Sequence, residues 1–269
     1  MSNFVKRLLT GIVYVALLTA SLLTHEWAFY AFFALVTFGG VYEYYRLMEK
    51  VEQKALFIPG IAIALLAFNG SYMAASGVSG FASFFFIIPL VFYVYFKVLF
   101  TEGFSASKNI QATFTGVIYA GLPLAVLPWM VFGADGFSGK FVLGIFILIW
   151  TNDTGAYLSG MLLGKHPFYP RISPKKTWEG TIGGFILTLI LATILSKWLF
   201  ANDILVALIL GAVVSVFAAL GDLVESMLKR EVGVKDSGNV LPGHGGVLDR
   251  FDSLLFVAPA AFFVYSLLV

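Results

Sequence analysis

The sequence predicts an all-α integral membrane protein: a polytopic bundle of about nine transmembrane helices with a cytoplasmic N-terminus. Three observations carry that expectation. Of 269 residues, 59% are hydrophobic and 12% charged, and the mean hydropathy is +0.91. An ordinary soluble domain carries about 25% charged residues. Apolar stretches of roughly 20 residues, the length that crosses a bilayer, recur along the chain at 4–23, 27–47, 55–75, 81–100, 110–132, 141–163, 180–200, 204–226 and 252–269. Finally, placing the N-terminus inside and alternating the loops puts all but Lys140 and Lys197 of the 17 lysines and arginines on the cytoplasmic side. That is the asymmetry expected of a membrane protein, and dropping one span would scramble it. The C-terminus then lies outside.

The apolar run Leu8–Leu23 follows Lys6 and Arg7 and has signal-peptide features. Its near-immediate continuation into Trp27–Leu47 argues for a retained helix instead. The fifth contains Pro123 and Pro128 and is expected to kink. No internal repeat or low-complexity segment appears, so 1–269 reads as one membrane domain. Residues 1–140 supply spans of mainly structural role, and 141–269 supply catalytic spans and cytoplasmic loops. A net charge of +2 is too small to argue for nucleic acid, and the absence of cysteine excludes disulfides, thiolate metal sites and cysteine nucleophiles. In the first half, Glu43, Arg46 and Lys50 have the i, i+3, i+7 spacing of a salt-bridged interfacial turn. The aromatics Phe84–Phe86, Tyr93, Tyr95 and Phe96 read as lipid-facing anchors, and His25 as an incidental residue of an outer loop.

Chemistry begins in the sixth span. A lone carboxylate at membrane depth costs roughly 2.5–3.5 kcal/mol on insertion scales, so Asp153 should face a polar cavity or a partner. Ala156, Gly160 and Gly164 form a small-residue stripe that lets another helix approach closely. In Arg171–Gly180, Ser173 and Pro174 read as the N-cap and first residue of the next helix. Lys175 and Lys176 would then sit in its first turn, where cations oppose the helix dipole. An anion bound at that helix start, a favoured phosphate position, would account for them; the alternative is lysines holding anionic head groups.

The densest cluster is Gly221–Ser253, between two apolar runs. It holds Asp222, Glu225, Glu231, Asp236, Asp249 and Asp252, with Lys229, Arg230, Lys235 and Arg250, and the glycines 233, 238, 243, 245 and 246. Asp222, Glu225, Ser226 and Lys229 fall on one face of a helix, and Asp249, Asp252 and Ser253 repeat the i, i+3, i+4 spacing at the start of the next. Two carboxylate-bearing helix ends joined by a compact loop can converge on a hard cation. Mg²⁺ commonly takes one or two carboxylates plus substrate phosphates, and glycine lets backbone N–H groups approach an anion. The residues alone therefore point to a Mg²⁺-dependent site for a phosphorylated substrate at a membrane surface.

The run Ser226-Met-Leu-Lys229-Arg230, Lys235-Asp236, Pro242-Gly-His244-Gly-Gly-Val-Leu-Asp249-Arg250-Phe-Asp252 resembles the signature of the phosphatidate cytidylyltransferases, or CDP-diacylglycerol synthases. Asp153, Gly155-Ala-Tyr157, Gly164-Lys165 and Ser173-Pro-Lys-Lys-Thr-Trp-Glu-Gly180 resemble a second conserved block, whereas the N-terminal half is similar in hydropathy only. The resemblance implies CTP-dependent cytidylyl transfer to phosphatidate, giving CDP-diacylglycerol and pyrophosphate. It implies Mg²⁺ on Asp222 and Asp249, with a second cation such as K⁺ left open, and with Asp236, Asp252 and Asp153 as further acidic candidates. Lys175, Lys176, Lys229, Arg230, Lys235 and Arg250 would bind triphosphate and lipid phosphate. Ser173, Thr177 and Glu179 would belong to the substrate site, Gly243, Gly245 and Gly246 to a phosphate-cradling loop, and His244 to the nucleotide or to loop order. The expected setting is the plasma or inner membrane with the active site facing the cytoplasm, and a homodimer is left open. Two rivals stand beside it. One is a CTP-using polyprenol or phytol kinase. The other is a secondary transporter, with Asp153 as coupling-ion ligand, against which the charges cluster at one face and no inverted repeat is seen.

Overall fold

The computed structural model describes residues 3–78, 81–101, 105–199, 203–240 and 245–268. The chain divides into two compact units: Met1–Ser138 with Glu231–Phe251, and Gly139–Arg230 with Asp252–Val269.

In the first unit, α1 (Asn3–Leu23), α2 (Glu26–Glu49), α3 (Phe57–Ala75) and α4 (Ile87–Leu99) are followed by α5 (Ala106–Gly116). His25 is exposed, as expected, but it is not incidental: its Nδ1 accepts from Trp27 N at 3.2 Å and caps α2. Helix α5 runs through a π turn at Val117–Gly121 into the short α6 (Leu122–Ala125) and α7 (Pro128–Val131). This is the expected kink. Pro123 lacks an N–H and crowds the carbonyl of Tyr119, and the widened turn there relieves that conflict, whereas Pro128 starts α7, where a missing N–H is tolerated. A two-stranded ribbon, β1 (Phe132–Gly133) with β2 (Gly136–Phe137), closes this part of the chain. The core is aromatic: Phe29, Phe33, Tyr45 and Phe68 are fully buried, with the Phe29 and Phe33 rings 4.9 Å apart. Tyr45 takes its hydroxyl to Thr113 O at 2.7 Å, so a buried polar tip is satisfied.

The second unit holds α8 (Lys140–Leu163), the ribbon of β3 (Pro167–Tyr169) and β4 (Ser173–Thr177), α9 (Trp178–Leu199), α10 (Ile204–Glu231) and α11 (Leu248–Leu268) from Asp252 onward. The small-residue stripe of α8 does let α9 approach closely. A Cβ at Gly180 would collide with Ala156 O, and one at Gly184 with Asn152 O. Asp203 caps α10 by accepting from Val206 N at 3.0 Å. Beyond its C-terminus the chain turns through Gly233 at φ +72°, a left-handed position that glycine adopts readily.

Among the described residues, six helices are long and apolar enough to cross a membrane: Phe57–Ala75, Ala106–Val131, Lys140–Leu163, Trp178–Trp198, Ile204–Glu231 and Leu248–Leu267. Leu8–Leu23 and Phe84–Leu99 are shorter apolar helices. Helix α2 has the length, but its tyrosines, Glu43 and Arg46 make it less apolar. The chain is thus a multi-pass helical membrane protein, with six helices among the described residues that qualify as spans by length and composition.

Candidate active site

The expected helix start at Ser173–Pro174 is absent. Ser173–Thr177 is instead strand β4, paired antiparallel with β3 in the register Pro167↔Thr177 and Tyr169↔Ser173. The true cap is Thr177, whose Oγ1 accepts from Gly180 N at 3.2 Å at the start of α9. Pro174 sits in a two-stranded ribbon, where a missing donor is tolerated. Lys175 and Lys176 therefore stand on a strand, and no conflict with a helix dipole arises. Glu179 ties this ribbon to the end of α8: its Oε2 accepts from the N–H groups of Lys165 (3.1 Å) and His166 (3.2 Å), and its Oε1 meets His166 Nδ1 at 2.5 Å.

Lys175, Lys176 and Thr177 line a cavity of about 400 Å³ together with Asn152, Asp153, Ala156, Tyr157, Phe168 and Asp222. The lining therefore combines charged and polar side chains with the apolar Tyr157, Met161 and Phe168. Lys176 Nζ lies 2.5 Å from Asp222 Oδ2, and Ser226 Oγ donates to Asp222 Oδ1 at 3.2 Å. Asn152, buried beside Asp153, accepts from Ser215 Oγ at 2.5 Å and so fixes α8 against α10. Asp252 lies on α11 within electrostatic range of Asp222, Asp153 and Lys229. Lys229 pairs with Glu225 one turn back along α10, both largely buried. Arg230 is exposed in the last turn of α10.

In the first unit, Asp249 is the organising carboxylate of the signature loop. Its Oδ2 accepts from Ser237 N at 2.9 Å, Ser237 Oγ at 2.9 Å and Gly246 N at 2.7 Å. Gly245 has φ +83°, and a Cβ there would crowd the same oxygen. Lys235, Asp236 and Arg250 are exposed. Gly243 and His244 lie outside the described residues.

Sequence reasoning missed Glu43. The expected Glu43–Arg46–Lys50 turn does not form; Arg46 pairs with Glu49 at 2.7 Å. Glu43 is 3% exposed, and its Oε2 accepts from Ser237 Oγ at 3.0 Å and Leu248 N at 2.9 Å. The signal available was an acid well inside an aromatic helix, the same signal that singled out Asp153.

Whether a divalent cation fits can be judged from the donors. Among the described residues, no three acidic or histidine side chains converge into a ready-made metal cage. Mg²⁺ does not require one, because it is held by one or two carboxylates and the phosphates of a substrate. Asp222 and Asp153, which line one cavity with Lys175 and Lys176, are a donor set of that kind.

Residues 5–268 match the family model described as the cytidylyltransferase family. A phosphatidate cytidylyltransferase of Bacillus subtilis is 34% identical over 282 aligned residues, 99% of each chain. Those of Staphylococcus haemolyticus and Staphylococcus saprophyticus are 50% and 52% identical over 133 and 120 residues, covering 49% and 44% of this chain. The chain spans about half the length of these staphylococcal relatives, 51% and 46%. With a match from end to end and a full-length relative above 30% identity, the chain belongs to the cytidylyltransferase family.

Proposed function

We propose that this chain transfers the cytidylyl group of CTP to phosphatidate, forming CDP-diacylglycerol and pyrophosphate. The observation that carries the reading is the cavity of the second unit, where Lys176 pairs with Asp222 and Lys175 lines the same space beside apolar side chains. A site that joins two phosphorylated substrates needs cations around both and little else. The relatives that match over this chain are phosphatidate cytidylyltransferases, which does not favour the lipid-kinase or transporter readings.

In the proposed reaction a phosphate oxygen of phosphatidate bonds to the α-phosphorus of CTP, and the bond from that phosphorus to the β-phosphate bridging oxygen breaks, releasing pyrophosphate. The acceptor phosphomonoester is largely ionised at neutral pH, so no side chain need remove a proton. Catalysis then consists of positioning and charge stabilisation. Lys175 and Lys176 neutralise phosphate oxygens, and Tyr157, Met161 and Phe168 offer an apolar edge to the diacylglycerol end. The metal proposal keeps Asp222 and Asp249, each argued from its own unit. The chemistry that Mg²⁺ supplies when bound is charge neutralisation on the triphosphate. Asp153, Asp236 and Asp252 remain further acidic candidates, K⁺ a candidate second cation, and Lys229, Arg230, Lys235 and Arg250 candidate phosphate ligands. Since Gly246 N–H is given to Asp249, Gly245 and the two loop residues outside the described set are left as the phosphate cradle.

Purified protein given CTP, phosphatidate and Mg²⁺ should place α-phosphate label in the lipid and release γ-label as pyrophosphate, with neutral diacylglycerol or polyprenol refused. Recovery of γ-label in the lipid with release of CDP would overturn the reading in favour of a kinase, in which a hydroxyl acceptor needs a base.

The orientation belongs to the same proposal: nine spans, N-terminus inside the plasma membrane of a cell, active site facing the cytoplasm. A single cysteine at Val240 should react with an impermeant thiol reagent only after the inner face is opened. One at Asp135, an exposed residue of the predicted outer loop, should react in intact cells. The opposite pattern reverses the orientation.

A further inference from the structure

We propose that Glu43 is a positioning residue for the reaction, holding Ser237 and Leu248 so that the Asp249 carboxylate is presented in one orientation. The inference rests on the reading that Asp249 serves cytidylyl transfer. Glu43 belongs to α2, in the half of the chain where no chemistry was expected, and it reaches the loop across nearly the whole sequence. Its Oε2 accepts from Leu248 N at 2.9 Å, at the first turn of α11, and meets Ser237 Oγ at 3.0 Å. The same Ser237 hydroxyl lies 2.9 Å from Asp249 Oδ2. One hydroxyl with one proton thus links the two carboxylates, and the position of Asp249 is set partly by where Glu43 holds Ser237.

The packing leaves no slack. A Cβ on Gly246 would overlap Glu43 Oε2 and Ser237 Oγ, and one on Gly238 would overlap Glu43 Oε1. Glu43 is 3% exposed, and no lysine or arginine pairs with it among the described residues. Burying a carboxylate on neutral donors is costly, and an apolar side chain of similar volume would fill the space on α2 more cheaply. What an apolar side chain could not do is hold the hydroxyl and the amide that fix the loop.

The test uses the full-length protein in detergent, with turnover expressed per folded molecule. Glu43→Leu, which keeps volume and removes both acceptors, should lower kcat by more than about tenfold, leave KM for CTP and phosphatidate near wild type, and speed amide hydrogen exchange at Ser237 and Leu248 while α2 stays protected. Glu43→Gln, which keeps one acceptor oxygen, should recover most of kcat and the slow exchange. If Glu43→Leu lowers only the melting temperature, with kcat per folded molecule intact, Glu43 is a packing residue and the proposal fails. Should Glu43→Leu not fold, Gly246→Ala and Glu43→Asp decide the matter. Each alone should impair kcat, and together they should impair it less than the product of the two, because the shorter acid makes room for the methyl group. Strictly multiplicative effects overturn the proposal. The outcomes also separate from failure of the underlying reading. Full activity in Asp249→Asn removes that reading, whereas an inactive Asp249→Asn beside a fully active Glu43→Leu removes only the role of Glu43.

Discussion

Replacing Asp222 with asparagine should remove nearly all cytidylyl transfer while leaving the protein folded. The side chain is about one-third exposed and pairs with Lys176 across the cavity. Loss of an ion pair with that much solvent costs roughly 0–1 kcal/mol of stability, and asparagine can still accept from Ser226 Oγ. Catalysis has no such tolerance. Asp222 is the carboxylate that the cavity places beside two lysines and Asp153, the arrangement a divalent cation and a triphosphate require. Without its charge, Lys176 gains freedom but the proposed metal site loses a ligand. Retention of more than about a tenth of the wild-type rate, a barrier change under roughly 1.4 kcal/mol, would mean that Asp222 is not a metal ligand. Asp135→Asn, at an exposed turn, is the silent control. Calorimetric or fluorescence titration with Mn²⁺ in the presence of CTP gives a second readout: weaker metal binding in Asp222→Asn, unchanged in the control.

The elements of this chain differ in how plainly their sequence declares them. Membrane helices declare themselves by length and apolarity, and the register of Asp222, Ser226 and Lys229 on α10 followed from the helical period alone. Asp153 was legible because a membrane-depth carboxylate is expensive, and it does line the cavity. The ribbon at Ser173–Thr177 was not. Ser-Pro and Thr-Trp-Glu-Gly both spell a helix start, and only tertiary pairing with Pro167–Tyr169 makes Thr177 the cap. Glu43 was hidden for a different reason. Arg46 and Lys50 at helical spacing offered a complete local explanation for its charge, so nothing in the periodicity asked for a partner at Ser237 or Leu248. Contacts that distant in sequence leave no mark in a local pattern; the glycines that admit them, Gly238 and Gly246, are the trace they leave.

Asp249→Asn should also fall below about a tenth of wild-type turnover, and comparison with Asp249→Ala shows why. One oxygen of Asp249 accepts from three donors, the amides of Ser237 and Gly246 and the Ser237 hydroxyl. Asparagine can present its single carbonyl oxygen to those donors, so the loop should keep its conformation. Hydrogen bonds to an ionised acceptor are worth about 1.5–3 kcal/mol and to a neutral one about 0.5–1.5, so some stability is lost, but the acceptor remains. Alanine removes the acceptor and leaves the two amides to water or to nothing, while the Ser237 hydroxyl keeps only Glu43. Both variants lack the charge proposed to serve the metal, and both should therefore be nearly inactive. Only Asp249→Ala should show fast exchange of the Ser237 and Gly246 amides. An active Asp249→Asn with a slow-exchanging loop would make Asp249 a structural acceptor alone. If instead both variants lose activity and both lose loop protection, disorder of the loop accounts for the loss, and the charge of Asp249 has no separate role.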